Sequence, residues 1–181
     1  MTATGKIELM APAGNFESMQ AALDNGCDSI YFGVEQLNMR ARATVNFVLD
    51  DLPEIARRCQ EKNVRTYLTL NTIIYDHDLS IVKTLLTKAK EAGITAVIAS
   101  DQAVIMTART IGMEVHISTQ LNVTNIETVK FYSMFADTIV LSRELSLRQV
   151  KKITDEIEKE QVKGPSGNLV EIEIFGHGAL C

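Results

Sequence analysis

Short runs of β-branched and other apolar residues alternate along this chain with longer runs whose apolar positions recur every three or four residues. The first pattern marks strands and the second marks amphipathic helices. KIELMAPAG reads as a first strand ending at Ala13-Gly14, followed by a helix over 16–25 with Asn15 as its N-cap. DSIYFG is the second strand, and VEQLNMRARATVNF is a loop. A helix over 50–62 then carries Leu52, Ile55, Ala56 and Cys59 along one face. VRTYLTLN is the third strand, and Gly93 stops the amphipathic helix over 78–92. AVIASD, EVHISTQLN and TIVLSREL supply strands four to six, and helices over 102–111, 125–135 and 146–160 follow them in turn. The turn-rich KGPSGN leads into a seventh strand over 170–175 and a Gly-His-Gly turn.

Seven strands alternating with six helices predict an α/β fold of parallel strands joined by helical crossovers. A (β/α)₈ barrel and an open doubly wound sheet are the two candidates. No Gly-x-Gly-x-x-Gly follows the first strand, so a dinucleotide fold has no fingerprint here. A full barrel takes about 250 residues. The 181 residues therefore predict a single TIM-like barrel domain, 1–181, incomplete after its seventh strand. Its strands one and seven would expose edges, which predicts a homodimer or an exchange of elements.

Composition narrows the class. Hydrophobic residues make up 46% and charged residues 23%, as in an ordinary soluble globular chain. A net charge of -5 gives no global pull toward nucleic acid or an anionic membrane. No apolar run approaches the roughly 20 residues that span a bilayer, and the start shows no secretory signal. Cys27, Cys59 and Cys181 form no CxxC, so reduced thiols and a cytoplasmic location are expected.

In a parallel α/β fold the site lies beyond the carboxyl ends of the strands. Those ends read Ala13-Gly14, Gly33, Asn71, Ser100-Asp101, Gln120 with Asn122, Ser142-Arg143-Glu144, and His177. Strand alternation points His116, Ser118 and Gln120 one way, and does the same for Tyr67, Thr69 and Asn71 and for Glu171, Glu173 and His177. Polar groups on a face that should be apolar need a partner, either a hydrogen-bonded interior layer or a ligand. Arg40 and Arg42 suit a phosphate or a dicarboxylate, or form a solvated surface pair. Arg143-Glu144 reads as a ligand clamp, a structural ion pair, or a Glu that helps to cap the following helix. There is no Gly-x-Ser-x-Gly elbow, no His-Glu-x-x-His and no lysine at a strand's carboxyl end. His177 and Cys181, four apart, would make a Cys-His pair if a helix starts there.

The run EIFGHGALC, 173–181, resembles the first half of the signature of the collagenase-like peptidase family, whose catalytic type is unassigned. ELMAPAG, RARATVNF, the strand-end Asn71, HISTQLNVTN and LSRELSL resemble the same family in the same order, so the resemblance spans 8–181. It implies a TIM-like barrel. Its members are named as proteases, but several resemble enzymes of oxygen-independent hydroxylation of transfer-RNA wobble uridine, ribosomal-RNA cytidine or the ubiquinone ring. The RNA-modifying members are associated with prephenate. In relatives with an iron–sulfur cluster, the cysteine matching Cys181 is the first ligand and three more follow downstream. The chain thus resembles an N-terminal domain fragment in which no cluster is expected, because Cys27 and Cys59 should not reach Cys181.

The resulting expectation is an RNA-hydroxylating enzyme in full-length form. His177, Glu144, Asn71 and Gln120 are its catalytic candidates. Arg40, Arg42, Asn122, Arg143 and His116 are the substrate-binding ones, the arginines holding anionic groups. Cys181 is the metal ligand. A peptidase using Cys181 and His177 is the alternative, and a non-catalytic binding or assembly barrel is the second. RNA or peptide would be engaged through regions beyond this chain, with no membrane involved.

Overall fold

Helices begin here where a side chain can take up the free N–H groups of the first turn. Asn15 accepts from the Ser18 N–H at 2.7 Å and starts α1, Phe16–Asp24. Asp101 starts α4, Gln102–Thr110, and Asn125 starts α5, Ile126–Ser133. Ser146 and Gln149 cap α6, Leu147–Glu160, reciprocally, so Gln149 does the work that Glu144 was a candidate for. The other two helices, α2 (Leu52–Glu61) and α3 (Leu79–Ala92), grow out of 3-10 turns at Leu49–Asp51 and Asp76–Asp78. Gly93 ends α3 in the left-handed conformation, φ 88°, as its sequence position predicts.

The computed structural model describes residues 7–34 and 47–177. Arg40, Arg42 and Cys181 lie outside the described residues. Between the helices run seven strands: β1 (Met10–Pro12), β2 (Ser29–Phe32), β3 (Arg65–Leu70), β4 (Ala96–Ala99), β5 (Glu114–Ile117), β6 (Thr138–Val140) and β7 (Glu171–Glu173). They form one parallel sheet in sequence order, so each helix crosses from one strand to its neighbour. Among the described residues, β1 and β7 are each paired on one side only.

The two faces differ. Outward residues of the strands, among them Ile30, Phe32, Leu68, Leu70, Val97, Val115, Ile117 and Ile139, form one buried cluster with the helices. α2 contributes Leu52, Ile55, Ala56 and Cys59, the face its periodicity predicts, and α3 contributes Val82, Leu85, Leu86 and Ala89.

On the other face, side chains of alternate strands meet, which requires curvature. The rings of Tyr67 on β3 and His116 on β5 are 4.5 Å apart, across β4. The sheet is thus a half-barrel whose concave face is the inside of a TIM-like barrel. The register shows the stagger. Tyr67 lies level with Glu114 through Ala96, yet it meets His116, two residues on. His116 lies level with Glu171 through Thr138, yet its ring meets Glu173, again two residues on. One residue per strand is the shear of an eight-stranded barrel. Tyr67, His116 and Glu173 therefore share a layer, as alternate strands do in such barrels.

The strands are shorter than their apolar runs predict. β5 stops at Ile117 because Ser118 accepts the Gln120 N–H at 3.3 Å and opens a 3-10 turn, Thr119–Leu121. Asn122 follows with φ 52°. Alternation therefore ends before Gln120, which does not continue the His116–Ser118 face. β7 likewise ends at Glu173, four residues before His177.

Candidate functional site

Two polar regions stand out among the described residues. The first lies toward the amino ends of the strands, in the barrel interior. His116 is 3% exposed, and its Nε2 stands 3.3 Å from Glu114 Oε1 while its Nδ1 stands 3.5 Å from Glu173 Oε2. The second separation is a long one, and by hydrogen-bond geometry both atoms are left without a partner. A carboxylate opposite each nitrogen nevertheless favours the doubly protonated ring. Burial is the strongest single influence on His116 and opposes its charge, but the two glutamates together outweigh it and raise its pKa. The His116 hydrogen bond in turn holds the Glu114 carboxyl below its ordinary range.

The network continues across the barrel. Arg65 donates to Glu114 at 3.1 Å and to Glu8 at 3.0 Å, and its guanidinium lies 5.3 Å over the Tyr67 ring. Tyr67 donates its hydroxyl to Glu8 at 2.6 Å. Burial first, and then the Glu8 carboxylate, push the Tyr67 phenol well up, so it is a neutral donor. Sequence reasoning identified Tyr67 and His116 but missed Glu8, Arg65 and Glu114. The signal was present: Arg65 and Glu114 sit two residues before Tyr67 and His116 and so share their faces.

The second region lies at the mouth end, past the carboxyl ends of β6 and β7 and on the side of α6. A cavity of about 200 Å³ opens between the ends of β6 and β7 and the start of α6. Leu141, Leu145 and Val150 form its apolar side, and Ser142, Arg143, Phe175 and His177 also line it. The Arg143 guanidinium lies 5.4 Å from the centre of the Phe175 ring. Ser142 is buried and donates its hydroxyl to Glu144, which holds the Glu144 carboxyl low and keeps it ionised. Arg143, His177 and Glu144 thus gather at one end of the barrel. Asn71, half-buried just past β3, does not line this cavity, nor do the exposed Gln120 and Asn122. A larger cavity of about 470 Å³ lies between Val34, the 49–51 turn and α3, and among the described residues Asp50 is its one titratable lining group. Among the described residues the smaller one holds the richer chemistry, with Ser142, Arg143 and His177 on its lining.

An iron–sulfur cluster does not fit the described residues. Cys27 and Cys59 are both buried in the outer, helix-facing core. Burial, and then the neighbouring Cys27, push the Cys59 thiol up to about 11, the opposite of what a thiolate ligand needs. Among the described residues, no group of three or more His, Cys, Asp or Glu side chains is arranged to hold a metal ion. Nor is any described helix long and apolar enough to cross a membrane.

Fold and mouth together define a TIM-like barrel protein with its candidate site at the carboxyl ends of β6 and β7. The family model for peptidase family U32 matches residues 14–181, and the chain belongs to that family. It is 52% identical over 96% of its length to a collagenase of Porphyromonas gingivalis. It is 34% identical over 97% of its length to the tRNA hydroxylation protein P of Helicobacter pylori. It spans about two fifths of each, 42% and 40%. The solved structure of the U32 peptidase Mk0906 matches 96% of the chain and 70% of its own with a TM-score of 0.69, at 13% identity, which shows the shared fold.

Proposed function

We propose that this chain is the barrel of an enzyme of oxygen-independent RNA hydroxylation, acting on transfer RNA in the cytoplasm. One observation carries the proposal: the mouth pairs a cationic side chain with an aromatic one, Arg143 with Phe175, in a family whose tRNA-hydroxylation relatives align with 97% of the chain. Cations hold RNA phosphates, and aromatic faces hold unstacked bases. A cavity of about 200 Å³ suits one ring system, below the roughly 300–1,000 Å³ common for drug-sized ligands.

In this proposal His177 and the ionised Glu144 flank the substrate and position it, and Asn71, Gln120 and Asn122 orient the rest of the nucleotide. Arg40 and Arg42 supply further positive charge, for phosphate or for the two carboxylates of prephenate as co-substrate. Cys181 serves as one iron–sulfur ligand of the full-length protein.

The test is mass spectrometry of nucleosides from cells that lack the full-length gene and from cells complemented with it. A hydroxylated transfer-RNA nucleoside that disappears and returns supports the proposal. Unchanged nucleosides would reject it. The 52% identity to a collagenase favours peptide hydrolysis as the second reading, with Cys181 as nucleophile and His177 as base. Cleavage of a collagen peptide that stops on Cys181→Ala would establish it.

A further inference from the structure

We infer that Phe175 and Arg143 form a stacking platform on which a single unpaired nucleobase docks, with Arg143 also meeting its phosphate. This rests on the RNA reading above and assigns that substrate a place. Phe175 stands two residues past the end of β7, where the chain leaves the sheet and lines the cavity. Phe175 is 42% exposed, and Ile174 at 44% and Leu147 at 76% line the same cavity.

The patch is not uniformly greasy. Arg143 lies over the Phe175 ring, while Ser142 and His177 stand at the same cavity. That arrangement has an apolar wall, a planar cation and polar groups at the rim. A nucleobase has the matching form: two apolar faces, a hydrogen-bonding edge and an attached anion. Bases splayed out of a strand stack on aromatic rings and on guanidinium planes alike. A peptide would need an extended cleft with backbone partners instead. A phosphate alone would leave Phe175, Ile174 and Leu147 without a role.

Stacking is insensitive to which base is present, so this platform supplies affinity and position, and other contacts supply base choice. It also lies beside Glu144, held ionised by Ser142, which can accept from an exocyclic or ribose donor.

The probe is an oligouridylate carrying one 4-thiouridine and a fluorescent end label, used with the full-length protein. Wild type and Phe175→Tyr should bind it alike, and irradiation should cross-link the thiouridine to the peptide holding residue 175. Phe175→Leu should bind about tenfold more weakly, the usual scale for losing one stacked base, with an unchanged circular dichroism spectrum. Arg143→Gln should weaken binding and flatten its salt dependence. If Phe175→Leu binds like wild type while nucleoside hydroxylation persists, the platform is wrong and the RNA reading stands. If Phe175→Leu loses prephenate binding but keeps RNA affinity, the cavity is a dicarboxylate site and the inference is overturned. If wild type neither binds the probe nor modifies RNA, the functional reading itself fails.

Discussion

Replacing His116 with phenylalanine should change both the stability of the fold and its pH dependence. The new ring fills much of the same volume against Tyr67 but removes the His116 cation between Glu114 and Glu173. Breaking a buried ion pair by deleting one partner costs about 3–5 kcal/mol. Here the loss should fall near 3 kcal/mol, because Glu114 keeps Arg65 and 33% of its side chain remains in solvent. The sign of the pH effect follows from the two shifts. His116 is raised from 6.5, so its contribution is complete below that value and is lost as pH climbs through the folded pKa. Glu114 is lowered from 4.5, so its contribution is complete above that value and is lost as pH falls through the folded one. Wild-type stability should therefore peak between 4.5 and 6.5 and decline on the alkaline side, by at most about 1.4 kcal/mol per pH unit for one proton. Tyr67 stays neutral and Arg65 stays charged over that range, so neither competes for the alkaline limb. Urea unfolding followed by circular dichroism from pH 5 to pH 9 measures both proteins. An alkaline slope equally steep in His116→Phe, or no slope in wild type, would refute the protonated, doubly paired histidine.

Gly164→Ala should destabilise by about 1–3 kcal/mol, since an added Cβ would sit 2.8 Å from the Asp137 Cα, and a thermal melt measures the loss. The same Asp137 carboxylate accepts from Ser166 N–H and Oγ, so Asp137→Ala should loosen the 163–169 connector and raise its amide exchange. Arg42→Ala should weaken binding of a prephenate-like dicarboxylate at least several-fold with little change in melting temperature, and equal affinity by calorimetry would reject the role. The 181-residue chain should self-associate through its two singly paired edges, where Ile7 is 90% and Leu9 62% exposed, and a clean monomer in sedimentation at high concentration would contradict that.

The architecture was legible because it depends on periodicity alone. Seven apolar runs and six amphipathic runs gave the strand and helix count, and Asn15, Asn125 and Gly93 marked element ends by the same chemistry that the structure uses. Boundaries were less legible. HISTQLN reads as continuous alternation, but the Ser118 hydroxyl offers the Gln120 N–H a closer partner than a neighbouring strand does. The site was half legible. Arg143, Glu144 and His177 could be placed at strand ends. Phe175 could not, because an aromatic residue in a strand is more often core than contact surface.

The sequence by itself determined that the strands are parallel, that one side of the sheet is apolar, and that His116 and Tyr67 stand on the other side. Alternation and crossover length suffice for that. Which polar residues find one another was decided only in three dimensions. Glu8, Arg65, Tyr67, Glu114, His116 and Glu173 span 166 positions yet form one network, because a shear of one residue per strand brings alternate strands into a common layer. Curvature, stagger and the pairing of charges follow from how the whole sheet packs under its helices, and no local stretch of chain encodes them.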